Sequence, residues 1–315
     1  MTEAVEEDDM EPIEERYAAG CAWIEGDYVP IHEARIPILD TGFVRSDLTY
    51  DVAAVWKGRF FRLDDHLDRL LRGCDRLRLA PPVPTERMRE IMVETVRRSG
   101  LQDAYVEIVV TRGVPAAGQR DPRLLTPRLY AYAIPYVWIV TPELQADGGA
   151  DVVIAAQTQR ISPRAVDPTV KNFHWGDLVR GLFEAYDRGA SLVLLTDGDG
   201  LVTEGPGFNV FAVVDGVLVT PRDGVLEGIT RRTALEIAEA SGIPVRVGDV
   251  SVADLARAGE LFLTSTAGGI MPVRSLDGRH LGTGPVTRSI HDAYWALHSD
   301  PRFSFEVPYG RPATV

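Results

Sequence analysis

Lysine is nearly absent from this 315-residue chain. Of its 33 basic residues two are lysines, Lys57 and Lys171, and the other 31 are arginines. The chain uses arginine wherever a positive charge suffices. A retained lysine therefore points to something arginine cannot do: lose a proton near neutral pH, or form a Schiff base. Cysteine is scarce too. Cys21 and Cys74 are too few for a disulfide framework, and Cys74 falls on the apolar face of a predicted helix, where a small buried thiol is expected. A reduced, cytoplasmic setting fits. No apolar run reaches the ~18 residues of a membrane helix. The longest, residues 130–140, is broken by Pro135 and reads as a buried strand. The six histidines show no spacing with cysteine or carboxylate that suits zinc, so no metal is expected. Basic residues are missing altogether from positions 1–15, which hold eight acids. That block carries most of the net charge of −13 and leaves −5 for the rest. It is the opposite of a signal peptide, and neither it nor the body suggests a nucleic-acid surface.

What is present is ordinary for a soluble globular protein: 45% apolar and 25% charged residues, at a length that suggests about two domains. Residues 1–18 read as a loosely held acidic tail. From Cys21 the chain alternates, turns at Glu25-Gly26-Asp27 and alternates again to Ile31. A second hairpin is expected around Lys57-Gly58. Asp64 then reads as an N-cap, followed by Leu67, Leu70, Leu71, Cys74 and Leu77 at helical spacing. Thr85 caps a second helix that ends near Gly100, and strands follow at 105–111 and 129–140. Residues 19–142 thus form a small α+β domain, 143–150 a polar link, and 151–315 a larger mixed α/β domain. In the latter, strands are expected at 152–156, 192–196, 208–214 and 261–264. Helices are expected at about 175–188, 229–240, 252–258 and 286–298. The fold class is α/β.

Lys57 has a plain explanation as a solvated turn residue. Lys171 has none so simple. It sits in Asp167-Pro168-Thr169-Val170-Lys171-Asn172-Phe173-His174-Trp175, an irregular stretch with apolar and aromatic neighbours, where partial desolvation would lower its pKa and make it a nucleophile. The plainer alternative is a surface lysine at a strand end. Gly228-Ile229-Thr230 opens a helix whose first turn offers free N–H groups and a hydroxyl, an arrangement that binds phosphate. An ordinary helix start would look the same. Thr264-Ser265-Thr266-Ala267-Gly268-Gly269 brings hydroxyls to a strand end before a Gly-Gly turn, and could equally be a polar turn. Glu204 lies between a short strand and the Gly205-Pro206-Gly207 bend, as a site acid or a solvated one. Arg69, in His66-Leu67-Asp68-Arg69, pairs with a neighbour or reaches an anion in a cleft. Together these parts suit one ligand with a phosphate, a basic ring nitrogen and an aldehyde, and pyridoxal phosphate has all three.

The order of these motifs resembles the fold-type IV pyridoxal-phosphate enzymes. These are the branched-chain and D-amino-acid aminotransferases, the aminodeoxychorismate lyases and the (R)-selective amine transaminases. The resemblance spans about residues 20–305. It is carried by Phe61 through Arg69, by Val170-Lys171-Asn172, by Thr203 through Asn209, by Gly228-Ile229-Thr230 and by Thr264 through Gly269. It implies a homodimer with pyridoxal 5'-phosphate in an interdomain cleft, Lys171 as the Schiff-base lysine and Glu204 as partner of the pyridine nitrogen. Arg69, Ile229, Thr230 and Thr266 would hold the phosphate. Within the family, Arg45 through Val52, Tyr105-Val106-Glu107, Asn172 through Val179 and Gly268 through Pro272 look like the (R)-selective amine transaminases. Tyr50, Val52, Tyr105, Trp175 and Ala267 would then shape an apolar substrate pocket, and Glu107 would disfavour a substrate carboxylate. The chain departs from that group at Arg45, where histidine is expected. An arginine there could grip a carboxylate. Arg120, with Arg123 nearly as good, is the candidate for a mobile carboxylate-binding arginine. The implied reaction passes the amino group of an (R)-primary amine, or of D-alanine, to pyruvate or another keto acid. D-amino-acid or branched-chain transamination, or a lyase reaction, are the alternatives.

Overall fold

The alternation beginning at Cys21 builds a hairpin of β1 (Cys21–Ile24) and β2 (Asp27–Pro30), turned by Glu25 and Gly26, both at positive φ. The structure, a computed structural model, describes residues 19–310, and the acidic segment 1–18 lies outside the described residues. A short helix unforeseen from sequence, α1 (Thr41–Arg45), is capped by Asp40, whose carboxylate accepts from the Gly42 N–H at 2.8 Å. The second hairpin joins β3 (Leu48–Trp56) to β4 (Arg59–Phe61) through Lys57 and Gly58, at φ 49° and 72°. Two successive positive φ values give a turn whose twist matches that of its strands.

Two helices follow, α2 (Leu63–Arg76) and α3 (Thr85–Ser99), then β5 (Ala104–Thr111) and β6 (Arg128–Pro135). The helix starts differ from expectation by two residues and by one. Arg62, in the left-handed region, precedes α2 and places Asp64 inside the first turn, where its charge still favours the helix dipole. Pro84 rather than Thr85 precedes α3. Strand β6 ends at Pro135 instead of running to Val140, because proline has no N–H to donate to a ladder.

The segment 143–150, expected as a polar link, contains most of a helical turn, α4 (Pro142–Ala146). After it come β7 (Ala150–Gln159), α5 (Gly176–Asp187), β8 (Leu192–Thr196), β9 (Asn209–Val214), β10 (Val217–Pro221) and α6 (Ile229–Ala240). The chain continues through β11 (Val245–Gly248), α7 (Val252–Arg257), β12 (Glu260–Ser265), β13 (Gly269–Leu276), β14 (Arg279–His280), α8 (Pro285–Leu297) and β15 (Ser304–Glu306). One sheet, ordered β15-β4-β3-β5-β6-β1-β2, is antiparallel throughout. The other, ordered β11-β10-β9-β12-β13-β7-β8, is mixed, with β14 on β13. Residues 304–306 return to the first sheet, Ser304 opposite Phe61, although the sequence reading grouped them with 151–315.

The first sheet explains where the site forms. One of its faces, with Val55, Val106 and Ile108, packs against Leu67, Leu70 and Ile91 of α2 and α3. Each such side chain contributes roughly 1.5–3 kcal/mol by leaving water. Its other face carries Tyr50, Val52 and Val109, with Tyr105 packed on them. Strand β3 is buried along nearly its whole length because both faces are covered.

Candidate functional site

A cavity of about 480 Å³ lies between the residues of the two sheets, and Lys171 lines it. The loop before Lys171 is anchored to α2, where Arg76 Nη1 donates to Asp167 Oδ2 at 2.7 Å. The Lys171 carbonyl accepts from Thr49 Oγ1 at 2.9 Å and from the Tyr50 N–H at 3.2 Å, so β3 fixes the lysine backbone. Its ammonium nitrogen lies 4.5 Å from the centroid of the Tyr50 ring. Asn172 closes the following turn, donating to the Val170 carbonyl at 2.7 Å and accepting from the His174 N–H at 2.9 Å.

Glu204 lines the same cavity and is buried. Its Oε1 accepts from Arg160 Nε and Nη2, both at 3.2 Å. Its Oε2 accepts from the Leu226 N–H at 2.9 Å and from Asn209 Nδ2 at 3.4 Å. Burial pushes the Glu204 carboxyl up, against the pull of the Arg160 guanidinium and the Leu226 N–H. Arg160 is itself held by Asp177, at 2.7 Å.

The third feature is a set of unspent donors. Gly228 caps α6 with no side-chain hydrogen bond, which leaves the first-turn N–H groups of Ile229 and Thr230 open. A side chain at Gly228 would collide with the Asn209 carboxamide oxygen, so the turn requires glycine. Thr264 Oγ1 is buried at the cavity wall without a partner among the described residues, and Thr266 lines the wall beside it. Arg69 reaches the cavity from α2 while its Nε and Nη2 donate to both oxygens of Asp51, at 2.7 and 2.8 Å, and its Nη1 donates to the Glu227 carbonyl at 3.1 Å. Asp51 also meets His66 Nδ1 at 2.7 Å. Burial alone would raise the Asp51 carboxyl, but Arg69 and His66 hold it well below the usual carboxylate range.

The family described as class IV amino-transferases matches residues 48–276. The chain belongs to the class IV aminotransferases. A putative branched-chain-amino-acid aminotransferase of Methanocaldococcus jannaschii is 31% identical over 277 residues, spanning 86% of this chain and 94% of that one. A D-alanine aminotransferase of Listeria monocytogenes is 27% identical over 270 residues, spanning 83% and 90%. The crystal structure of the branched-chain aminotransferase from the archaeon Thermoproteus uzoniensis with norvaline has a TM-score of 0.84 and 30% identity, covering 91% of this chain and 99% of that one.

The cofactor of this aminotransferase is pyridoxal 5'-phosphate. The residues present fit it. The orphan Thr264 hydroxyl, the uncapped start of α6 and the Arg69 guanidinium form a donor set for a phosphate, and Lys171 and Glu204 line the same space. Tyr50, Val52, Tyr105, Trp175 and Ala267 all line the cavity. Glu107 sits on the same face of the sheet, opposite Val52, where Tyr105 Oη donates to its Oε2 at 3.3 Å. Burial pushes the Glu107 carboxyl up to about 7, while hydrogen bonds from Tyr132 and Tyr105 and the Lys171 charge oppose the rise.

Three expected arginines are not brought into this site. Arg45 ends α1 with its side chain in solvent, Arg120 is exposed, and Arg123 pairs with Asp121. None lines the cavity. Sequence reasoning passed over Asp51 and Arg160. Asp51 lies 18 residues from Arg69 and Arg160 lies 44 from Glu204, so no local pattern joins either pair.

Proposed function

We propose that this aminotransferase passes the amino group of an (R)-configured primary amine, or of D-alanine, to pyruvate or another keto acid. The observation that carries the reading is how the cavity's charges are spent. Arg69, paired with Asp51, keeps its remaining N–H donors for the phosphate, and Arg160 is paired with Glu204 and Asp177, which leaves neither lining arginine for a substrate carboxylate. Behind the wall of Tyr50, Val52 and Tyr105 stands Glu107, opposite Val52 and bonded to Tyr105 Oη, though it does not itself line the cavity. A carboxylate on this wall would be desolvated near another acid, which is costly, so the alkyl or aryl group takes this wall and the carboxylate of D-alanine or of the keto acid lies away from it. The (R) configuration rests on the resemblance of residues 45–52 and 172–179 to the (R)-selective amine transaminases.

Bound pyridoxal 5'-phosphate supplies an aldehyde carbon that takes up the amino group and a ring that draws electrons from the substrate carbon. Lys171 holds the cofactor through Nζ and moves the proton at that atom. Tyr50 keeps the ammonium group over its ring face. Glu204, whose affinity for a proton is raised by burial, shares a proton with the ring nitrogen, and Arg160, Asn209 and the Leu226 N–H keep it in place. Arg69, the Ile229 and Thr230 N–H groups and Thr266 bind the phosphate, with Asp51 orienting Arg69.

An absorption titration of the holoenzyme with each enantiomer of 1-phenylethylamine tests this. Bleaching of the visible cofactor band by the (R) form alone is the expected result. Bleaching by D-alanine or an L-branched-chain amino acid, but by neither amine, moves the substrate to amino acids. That second reading is favoured by the names of the relatives. Pyruvate released from aminodeoxychorismate without an amino acceptor would instead mark a lyase.

We further propose a homodimer working in the cytoplasm. Ile38, Leu39 and Phe43, at 73%, 60% and 65% exposure, form an apolar patch around α1 of the kind a partner chain covers. Cys21 and Cys74 are free and buried, with their thiols pushed up by burial to about 11 and about 12. Sedimentation as a monomer at micromolar concentration would rule out the dimer.

A further inference from the structure

Three of the five tryptophans meet away from the catalytic cavity. The ring of Trp56 lies 5.7 Å from that of Trp138 and 5.0 Å from that of Trp295, and the last two are 5.9 Å apart. Together they line a second cavity of about 760 Å³, the size of a small-molecule site. All three are only half-buried, so each leaves aromatic surface available to a ligand. The electrostatics are one-sided. In a chain of net charge −13, no aspartate or glutamate among the described residues lines this cavity, whereas Lys57, Arg59 and Arg288 do. Arg59 is paired with Glu306 at 2.8 Å, but Lys57 and Arg288 form no ion pair among the described residues. Lys57 thus lines a cavity, as Lys171, the other lysine of the chain, does.

The two cavities share a wall. Along the segment 136–139 the side chains alternate: Val137 and Ile139 line the catalytic cavity, and Trp138 lines the tryptophan cavity. Tyr136 packs edge-on against Trp56 and Trp138, at 5.5 and 4.8 Å between centroids. Its hydroxyl donates to the Thr266 carbonyl at 2.6 Å and accepts from the Gly268 N–H at 3.0 Å. The Ile139 N–H donates to the Ala267 carbonyl at 3.0 Å. The strip that closes the catalytic cavity beside Thr266 and Ala267 is therefore the back of the tryptophan cavity.

We propose that the tryptophan cavity binds a planar aromatic carboxylate and that its occupancy changes amine affinity in the catalytic cavity through residues 136–139. The rings supply stacking surface, and Lys57 and Arg288 supply the unpaired cations for the carboxylate. The holoenzyme is titrated with indole-3-carboxylate, which carries neither a primary amine nor a keto group and is not consumed. Calorimetry reads binding, and initial rates read coupling. The expected result is saturable binding that indole or acetate alone does not reproduce at the same concentration. The KM for the amine should change by about fivefold or more and level off as the probe saturates. The double variant Lys57→Glu, Arg288→Glu should weaken binding roughly tenfold or more while leaving kcat and KM without probe unchanged, and Arg288→Lys should retain binding. Absence of saturable binding overturns the site. So does unchanged affinity in the double variant, and so does a KM that rises without limit, which places the probe in the catalytic cavity. Binding with no change in KM overturns the coupling.

Discussion

Replacing Glu107 with glutamine should stabilise the apoenzyme, and the gain should grow with pH. Glu107 is 5% exposed, opposite Val52, with hydrogen bonds from Tyr105 and Tyr132. Burial takes its carboxyl from 4.5 up to about 7. Between those two values the folded chain still holds the proton that the unfolded chain has released. Folding stability therefore falls as pH rises through this window, and the loss is complete once both states are ionised. At about 1.4 kcal/mol per pH unit the loss amounts to about 3 kcal/mol at pH 8.5, and to under about 1 kcal/mol at pH 5. Glutamine has no proton to lose, and its carbonyl oxygen still accepts from the two tyrosines. With a urea dependence of about 3 kcal/mol per molar, the midpoint of Glu107→Gln should exceed that of the wild type by about 1 M at pH 8.5 and by far less at pH 5. The measurement is paired urea unfolding by intrinsic fluorescence at the two pH values. A difference that does not depend on pH, or a variant weaker than the wild type at pH 8.5, refutes the reasoning. The Lys171 charge opposes the rise at Glu107, so adding Lys171→Ala should widen the gap.

Other substitutions test the remaining parts of the site. Lys171→Ala should lower turnover by at least about a thousandfold, and steady-state rates showing substantial residual activity would remove the lysine from its role. Glu204→Gln should keep the cofactor bound but slow the amine half-reaction about a hundredfold in stopped-flow absorbance, and an unchanged rate counts against the ring-nitrogen role. Asp51→Asn leaves the buried Arg69 without its carboxylate. It should cost about 3 kcal/mol of stability and weaken cofactor binding roughly tenfold in an absorbance titration, and full cofactor affinity would show that Asp51 does not orient Arg69.

The parts of this fold that could be read from sequence are those set by neighbouring residues. The turns at Glu25-Gly26 and Lys57-Gly58 and the apolar stripe of α2 are local facts, and they fold as expected. Strand β13 escaped notice because it begins at Gly269 and contains Pro272, both poor strand residues, and its position is fixed by β12 and β7 on either side. The pairing of β15 with β4 joins residues about 245 positions apart, which no window along the chain can contain.

The same distinction separates the lysine from the arginines. Lys171 stood out because only two lysines occur, a property of composition that any reader of the sequence can count. With 31 arginines, the identity of any one of them says little. Arg69 and Arg160 reach the cavity, and Arg45 and Arg120 do not. What divides them is a carboxylate supplied from elsewhere in the fold. A guanidinium taken out of water without a partner costs several kcal/mol, so these two arginines go inside where the fold brings an acid to meet them. Asp51 does this for Arg69, and Glu204 with Asp177 does it for Arg160. That requirement also limits what a buried arginine can offer a substrate. The ion pair that admits it to the cavity has already taken much of its charge, so under the proposed function the amine is selected by shape and by Glu107 more than by the arginines.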